Sequence, residues 1–90
     1  MLIQPVQPVN VTIKTGDIVH ECHMISLSDT ELTLTGHDYL EKDLRVLFTA
    51  HYFRGIGTVR EIEFIKYYFT FKLEVEHIQF KPGLLIDTRL

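Results

Sequence analysis

Apolar and polar residues alternate along most of this chain, in short runs that turn residues separate. Alternation with a period of two is typical of β-strands that bury one face, and no window keeps a helical spacing over a long stretch. Such strands recur about every ten residues, as they do in small all-β domains. The runs that predict strands cover residues 9–14, 18–25, 31–35, 44–52, 56–65 and 68–76.

Turn residues fall between these runs. Gly16 follows the first run and can adopt a positive φ at little steric cost, so a tight turn is predicted there. Arg54-Gly55 is expected as the turn after the fourth run, and Lys66-Tyr67 as the turn before the last one. Gly57 is predicted as a bulge or bend at the start of its strand.

The two ends of the chain are less regular than its middle. Pro5 and Pro8 remove backbone donors and favour extended conformations, so residues 1–8 are expected to form an extended arm or an edge strand. After the last strand, Lys81-Pro82-Gly83 is expected as a turn and residues 84–86 as a short apolar tail.

Strands of this length and spacing favour a small antiparallel barrel or sandwich. Closing the sheet would also remove exposed edges that make apolar strands prone to aggregation. We expect an all-β, six- to seven-stranded antiparallel β-barrel that forms a single domain over residues 1–90. In the run 18–25 both faces carry apolar residues, so the sequence leaves open which face is buried.

The charge of the chain narrows the classes of function. Nine Lys and Arg residues against twelve Asp and Glu residues give a net charge of −3, spread along the sequence. This balance disfavours long-range attraction to nucleic acid or anionic lipid. The single cysteine, Cys22, cannot form an internal disulfide, and no apolar run approaches the ~18 residues of a membrane helix. Residues 1–10 lack the features of a signal peptide, so a cytoplasmic protein without membrane insertion is expected.

The order and spacing of several segments carry a likeness to a known family. Met24-Ile25-Ser26 ends one strand and Glu31-Leu32-Thr33-Leu34 begins the next. Gly55-Ile56-Gly57-Thr58-Val59 then follows the long strand and leads to an aromatic-rich last strand. In these features residues 22–76 resemble a PilZ domain, the small bacterial β-barrel that serves as a receptor fold for cyclic di-GMP. The resemblance implies a PilZ-like barrel.

The two ligand-binding signatures of that family are almost absent here. The family's RxxxR segment supplies guanidinium groups to the ligand, whereas residues 1–44 contain no arginine. Of its (D/N)xSxxG signature only Ser26 matches, because Met24 and Asp29 stand where an acidic or amide residue and a glycine belong. The likeness is therefore to family members that bind no nucleotide, and no cofactor is expected.

The resemblance to those members also implies a way of acting. It implies a non-catalytic adaptor that contacts another bacterial protein, such as a component of cyclic di-GMP signalling, type IV pilus or secretion assemblies. A cyclic di-GMP receptor with a non-standard site is one alternative. A nucleic-acid-binding barrel of the Sm-like or OB type is another, because strand, glycine turn and strand recur in residues 11–34; the acidic balance argues against it.

Candidate catalytic and metal-binding residues are few. His20 and Cys22 share one strand face and are zinc-ligand types, but Met24 occupies the last histidine position of an HExxH motif. No pattern typical of a nucleophile surrounds Ser26, Ser28 or Cys22. Cys22 is expected to be buried as a small hydrophobe, and the serines to bond to local backbone. We therefore expect no enzyme activity and no metal.

Two aromatic segments are predicted to contact a partner protein. Tyr52, Phe53 and Arg54 place two aromatic rings beside a cation and next to glycines. Tyr67 and Tyr68 belong to an aromatic group that is larger than a small core easily buries. The acidic residues of the two long strands are expected to form a solvated face; they are Glu61, Glu63, Glu74 and Glu76.

Overall fold

The computed structural model describes residues 2–81 of the chain, and over these residues it contains strands but no helix. The seven strands are β1 (Leu2–Ile3), β2 (Asn10–Thr15), β3 (Ile18–Ser28), β4 (Glu31–Gly36), β5 (Arg45–Ala50), β6 (Phe53–Ile65) and β7 (Tyr68–Phe80). Within this range no helix is long and apolar enough to cross a membrane. The predicted turn at Pro82 and Gly83 and the predicted apolar tail 84–86 lie outside the described residues.

Strands β2 to β7 form one closed antiparallel sheet. Going around the barrel, the order is β2, β3, β4, β7, β6 and β5, and β5 pairs with β2 to close it. The short strand β1 is added beside the end of β3, where Leu2 lies opposite Ser28. The prediction of a six- to seven-stranded antiparallel β-barrel is therefore confirmed.

The core lies inside the barrel and follows the period of two along each strand. In β5, for example, Val46, Phe48 and Ala50 are buried and the residues between them are exposed. In β3 the buried face is that of Cys22 and Met24, and a register shift after Met24 then brings Leu27 inward. The buried apolar residues are Val11, Ile13, Cys22, Met24, Leu27, Leu32, Leu34, Leu40, Val46, Phe48, Ala50, Phe53, Val59, Phe71 and Leu73.

The two glycines near the start of β6, Gly55 and Gly57, lie where a side chain would crowd neighbouring residues. The predicted turn at Arg54-Gly55 is wrong, because both residues pair with β5 and the chain turns earlier, at His51 and Tyr52. A Cβ at Gly55 would lie 2.6 Å from the Phe48 ring and would also collide with the His77 carbonyl. The predicted irregularity at Gly57 is confirmed, since the β6–β7 register shifts there.

Candidate partner-binding surface

The residues predicted to contact a partner fall into two groups at opposite ends of β6. Tyr52, Phe53 and Arg54 lie at its start, whereas Tyr67 and Tyr68 lie just beyond its end. The strand is 13 residues long, and a strand rises roughly 3.3 Å per residue. The two groups therefore cannot belong to one compact contact surface.

The first group contributes little exposed apolar area. Phe53 is completely buried and packs between Phe48 and Phe80, with ring centroids 6.1 and 6.0 Å apart. A partner therefore cannot reach the Phe53 side chain in this fold, because it is a core residue. Tyr52 is partly exposed and its ring meets His51 edge to face at 4.5 Å.

Arg54 lies on the outside of the barrel. Its side chain lines a shallow cleft together with His77 and Gln79, which belong to the neighbouring strand β7. Arg54 and Gln79 are directly opposite each other in the sheet. Leu47 and Ile56 also line this cleft, which therefore combines apolar side chains with a cation.

The second group lies on an exposed hairpin turn. Lys66 and Tyr67 form the two-residue connection between β6 and β7, which confirms the predicted turn. Both adopt a positive φ, 50° at Lys66 and 76° at Tyr67. Turns of this kind favour Asn and Gly, because a Cβ is strained at such angles. Tyr67 is 90% exposed, so its ring packs against almost nothing in the described chain. Tyr68 is half-buried opposite Ile65.

The last part of β6 extends beyond the edge of its neighbour β5. The final pair between these strands joins Arg45 to Thr58, and the chain leaves β6 at Asp43. In the described part of the chain, residues 61–65 pair with β7 alone, and Arg60 lies at the register shift before them. We call residues 60–65 of β6 and the turn that follows them the overhang.

An apolar face continues from the barrel core onto the overhang. Ile62 lies opposite Phe71 and Phe64 opposite Phe69, so these side chains follow the inward face of β7. The Phe64 and Phe69 ring centroids are 4.9 Å apart, yet Phe64 is 63% exposed. Tyr39, from the loop between β4 and β5, meets Phe69 edge to face at 5.7 Å. We call Tyr39, Ile62, Phe64 and Phe69 the inner tip face.

Charged residues cover the outer face of the same strands, as predicted. Arg60 donates hydrogen bonds to Asp43 Oδ1 at 2.9 Å and to Glu74 Oε1 at 3.4 Å, and these bonds raise the pKa of Arg60. Lys72 Nζ lies 3.4 Å from Glu61 Oε2. Within residues 2–81 Glu63 is exposed and forms no ion pair. Solvent-exposed pairs of this kind contribute little to stability, so the face is mainly a pattern of surface charge.

The remnant of the cyclic di-GMP signature lies at the β3–β4 hairpin. Met24 is buried in the core, and Ser26 is half-buried beside the register shift. Ser28 Oγ accepts hydrogen bonds from the Glu31 N–H at 3.0 Å and the Thr30 N–H at 3.3 Å. This confirms that Ser28 is a turn residue bonded to local backbone.

Cys22 and His20 lie on the same strand, and they differ in burial and in their contacts. Cys22 is buried, as predicted, and burial raises the pKa of its thiol to about 11, with smaller contributions from Glu21 and Asp38. The thiol is therefore neutral and unreactive near pH 7. His20 Nδ1 lies 3.1 Å from Asp38 Oδ2. Among residues 2–81 no three His, Cys, Asp or Glu side chains are grouped so that they could hold a metal ion.

Similarity to known proteins does not decide the function of this chain. No protein-family model, no curated protein and no solved structure matches it. The resemblance to PilZ domains therefore stays a prediction from the sequence. The function has to be argued from the surface that the barrel presents.

Proposed function

We propose that this protein is a non-catalytic, PilZ-like adaptor that binds another bacterial protein through the overhang. One observation carries the proposal: Tyr67 combines a positive φ of 76° with 90% exposure. A strained residue persists where something over-determines it, and such strain is concentrated at functional sites. Packing does not account for this tyrosine, so binding to a partner is the role that we assign to it.

The composition of the overhang supports the same role. Phe64 and Tyr67 are exposed aromatic residues, and Ile65 is an exposed aliphatic residue between them. Monomeric proteins rarely expose contiguous apolar groups without a function. Aromatic side chains are also common among the residues that dominate the binding energy of protein interfaces. Phe64 and Ile65 direct their side chains to opposite faces of the sheet. A partner that buries both of them together with Tyr67 must therefore reach around the end of the hairpin.

Two features favour an adaptor that does not bind cyclic di-GMP. The side chain at the first position of the ligand signature, Met24, is directed into the core. Arg45 and Arg60 already bond to carboxylates, Arg45 through two hydrogen bonds to Glu76 at 2.9 and 3.1 Å. The resemblance then points to a partner within cyclic di-GMP signalling, type IV pilus or secretion assemblies.

Site-specific photocrosslinking in the bacterial host tests the adaptor role. A photoreactive phenylalanine analogue replaces Tyr67 in one variant and Asp17, in the exposed β2–β3 turn, in the control variant. We expect one protein to be captured from position 67 and lost when Phe64→Ser is added. Equal capture from both positions, or none from position 67, would contradict the proposal.

Calorimetry with cyclic di-GMP tests the second half of the proposal. We expect no measurable binding at micromolar protein and nucleotide. Missing charge-assisted bonds of roughly 1.5–3 kcal/mol each weaken binding by orders of magnitude. A micromolar or tighter dissociation constant would instead make the protein a receptor with a non-standard site.

A further inference from the structure

The overhang has a backbone edge that no strand covers in the described part of the chain. The last backbone hydrogen bonds on this side involve Val59. Its N–H donates to the Leu44 carbonyl at 2.9 Å, and its carbonyl accepts from the Asp43 N–H at 2.6 Å. Asp43 then turns the chain away with a φ of 68°. Beyond this point no residue among 2–81 fills the space in which β5 would continue.

The pairing with β7 shows which backbone groups face that space. Ile65 and Tyr68 close a two-residue turn, so they form a hydrogen-bonded pair. Bonded and non-bonded pairs alternate along an antiparallel ladder, so Glu63 and Glu61 also direct their backbone towards β7. The N–H and C=O groups of Ile62 and Phe64 therefore point to the open edge.

A groove runs beside this edge. It has a volume of about 500 Å³ and is lined by Tyr39, Lys42 and residues 60–63. A strand that pairs with β6 would lie ~4.8 Å from it, and so inside this groove. The side chains of such a strand would alternate between the inner tip face and the outer face of the sheet. The groove therefore fits an extended segment better than a compact ligand.

The charges of the edge argue against a second copy of the chain as the occupant. If Ile62 pairs with Phe64 of a second copy, Glu63 lies directly opposite its own equivalent. If Ile62 pairs with its own equivalent, Glu61 lies opposite Glu63 twice. Like charges directly opposite each other in a sheet are destabilising. These two symmetric antiparallel registers are thus disfavoured by charge. In the third, which pairs Phe64 with its own equivalent, Ile62 lies opposite Lys66 of the positive-φ turn, where β6 has already ended.

The same charges favour a partner strand of the opposite sign. Its residues beside Ile62 and Phe64 would be apolar, because they would cover the inner tip face. Its residue beside Glu63 would be Lys or Arg, because opposite-charge pairs across strands are stabilising. A second cation beside Glu61 would share that carboxylate with Lys72. Glu63 is available for such a pair, since within residues 2–81 no cation bonds to it.

We propose that the protein binds an extended segment of its partner, with apolar residues alternating with Lys or Arg, as an added strand on the β6 edge at Ile62 and Phe64. This inference rests on the proposed adaptor function and specifies how the partner is recognised. Strand addition of this kind takes its affinity from main-chain hydrogen bonds and its specificity from alternate side chains.

The test uses the full chain and two capped eight-residue peptides, one alternating Val with Lys and one alternating Val with Glu. Fluorescence anisotropy measures binding, and NMR-detected hydrogen exchange follows the individual backbone amides. We expect the Lys peptide to bind at least tenfold more tightly than the Glu peptide. We also expect it to slow the exchange of the Ile62 and Phe64 amides. N-methylation of the Lys peptide on its bonding edge should abolish both effects.

Charge exchange provides the matched variants. Glu63→Lys should reverse the preference between the two peptides, whereas Glu21→Lys, which makes the same charge change on the exposed face of β3 away from the overhang, should leave it unchanged. If neither peptide protects the Ile62 and Phe64 amides while position 67 still captures a cellular protein, strand addition is wrong and the adaptor role stands. If the Lys peptide protects those amides but position 67 captures nothing, strand addition stands and the adaptor role is wrong.

Discussion

Gly55 marks the tightest approach between a strand backbone and the barrel core. Its missing Cβ leaves room for the Phe48 ring and the His77 carbonyl, and the carbonyl belongs to backbone that cannot rotate away. We expect Gly55→Ala to lower the free energy of unfolding by about 3 kcal/mol. At Gly57 the nearest backbone atom, the Glu74 carbonyl oxygen, is 2.9 Å from an added Cβ, so Gly57→Ala should cost less. Urea denaturation of the two variants measures both values, and equal costs would contradict this explanation.

Cys22 makes the stability of the barrel depend on alkaline pH. Burial raises the pKa of its thiol from the ordinary 9.0 to about 11 in the folded chain. The folded state therefore resists ionisation, and this contribution is fully present below pH 9 and is lost as the pH rises to about 11. We expect a loss on the order of 2 kcal/mol across that window.

The pH dependence is measured by urea denaturation between pH 8 and 11. Cys22→Ala removes the titrating group, so the variant should lose less stability over this range than the natural chain, although Tyr and Lys residues titrate in both. Parallel pH profiles for the two proteins would show that the thiol ionises as easily in the folded state as in the unfolded one. The natural chain should also resist thiol reagents at pH 8 until denaturant is added.

At the scale of single elements, the β6–β7 hairpin carries strain at its turn. Asn at position 66 and Gly at position 67 suit a positive φ, so Lys66→Asn combined with Tyr67→Gly should raise the free energy of unfolding by about 1 kcal/mol. The same variant should lose partner binding, because it removes the exposed aromatic ring. Thermal unfolding and crosslinking from a second position, Ile65, measure the two effects. A less stable variant would mean that Tyr67 packs against the fold after all.

The strands themselves were largely predictable from alternation, and their irregularities were not. Each predicted run overlaps one observed strand, because a barrel wall has one buried face and one solvated face, although the runs 9–14 and 44–52 extend beyond β2 and β5. The turn at Arg54-Gly55 was wrong because a glycine next to a polar residue is typical of turns, whereas here Gly55 makes room for a ring from another strand. Such a contact joins residues distant in sequence, so local patterns do not report it.

The candidate surface was only partly predictable for the same reason. The exposure of Tyr67 was predictable because its aromatic group is larger than a small core buries. Phe53 was also predicted for the surface, but its strand directs it into the core. Ile62 and Tyr39 were missed because their importance depends on where β5 ends relative to β6. One feature of the sequence did indicate the register shift before Ile62. Arg60 and Glu61 are two successive polar residues, and they interrupt the alternation there.

At the scale of the whole molecule, the barrel closes but the overhang keeps an edge that no strand among residues 2–81 covers. The charge of Glu63 disfavours pairing between two such edges. We expect Glu63→Val to form concentration-dependent dimers, because it removes the like charges that face each other when two edges pair. Glu21→Val removes the same charge from the exposed face of β3, away from the overhang, and should leave the mass equal to that of the natural chain. Light scattering coupled to gel filtration measures the mass of both. If Glu63→Val has the mass of a monomer at all concentrations, Glu63 does not prevent two overhang edges from pairing.

Arg60 affects the direction in which the overhang extends from the barrel. It is the extra residue at the shift between Val59 and Glu61, where β6 gains one residue over β7. Bulges bend and twist the strand that contains them. Deleting Arg60 would restore a continuous ladder in which Glu61 still faces Lys72 and Ile62 still faces Phe71. The shortened hairpin would keep every side chain of the inner tip face but point in another direction, so this single deletion separates what the overhang is made of from where it points.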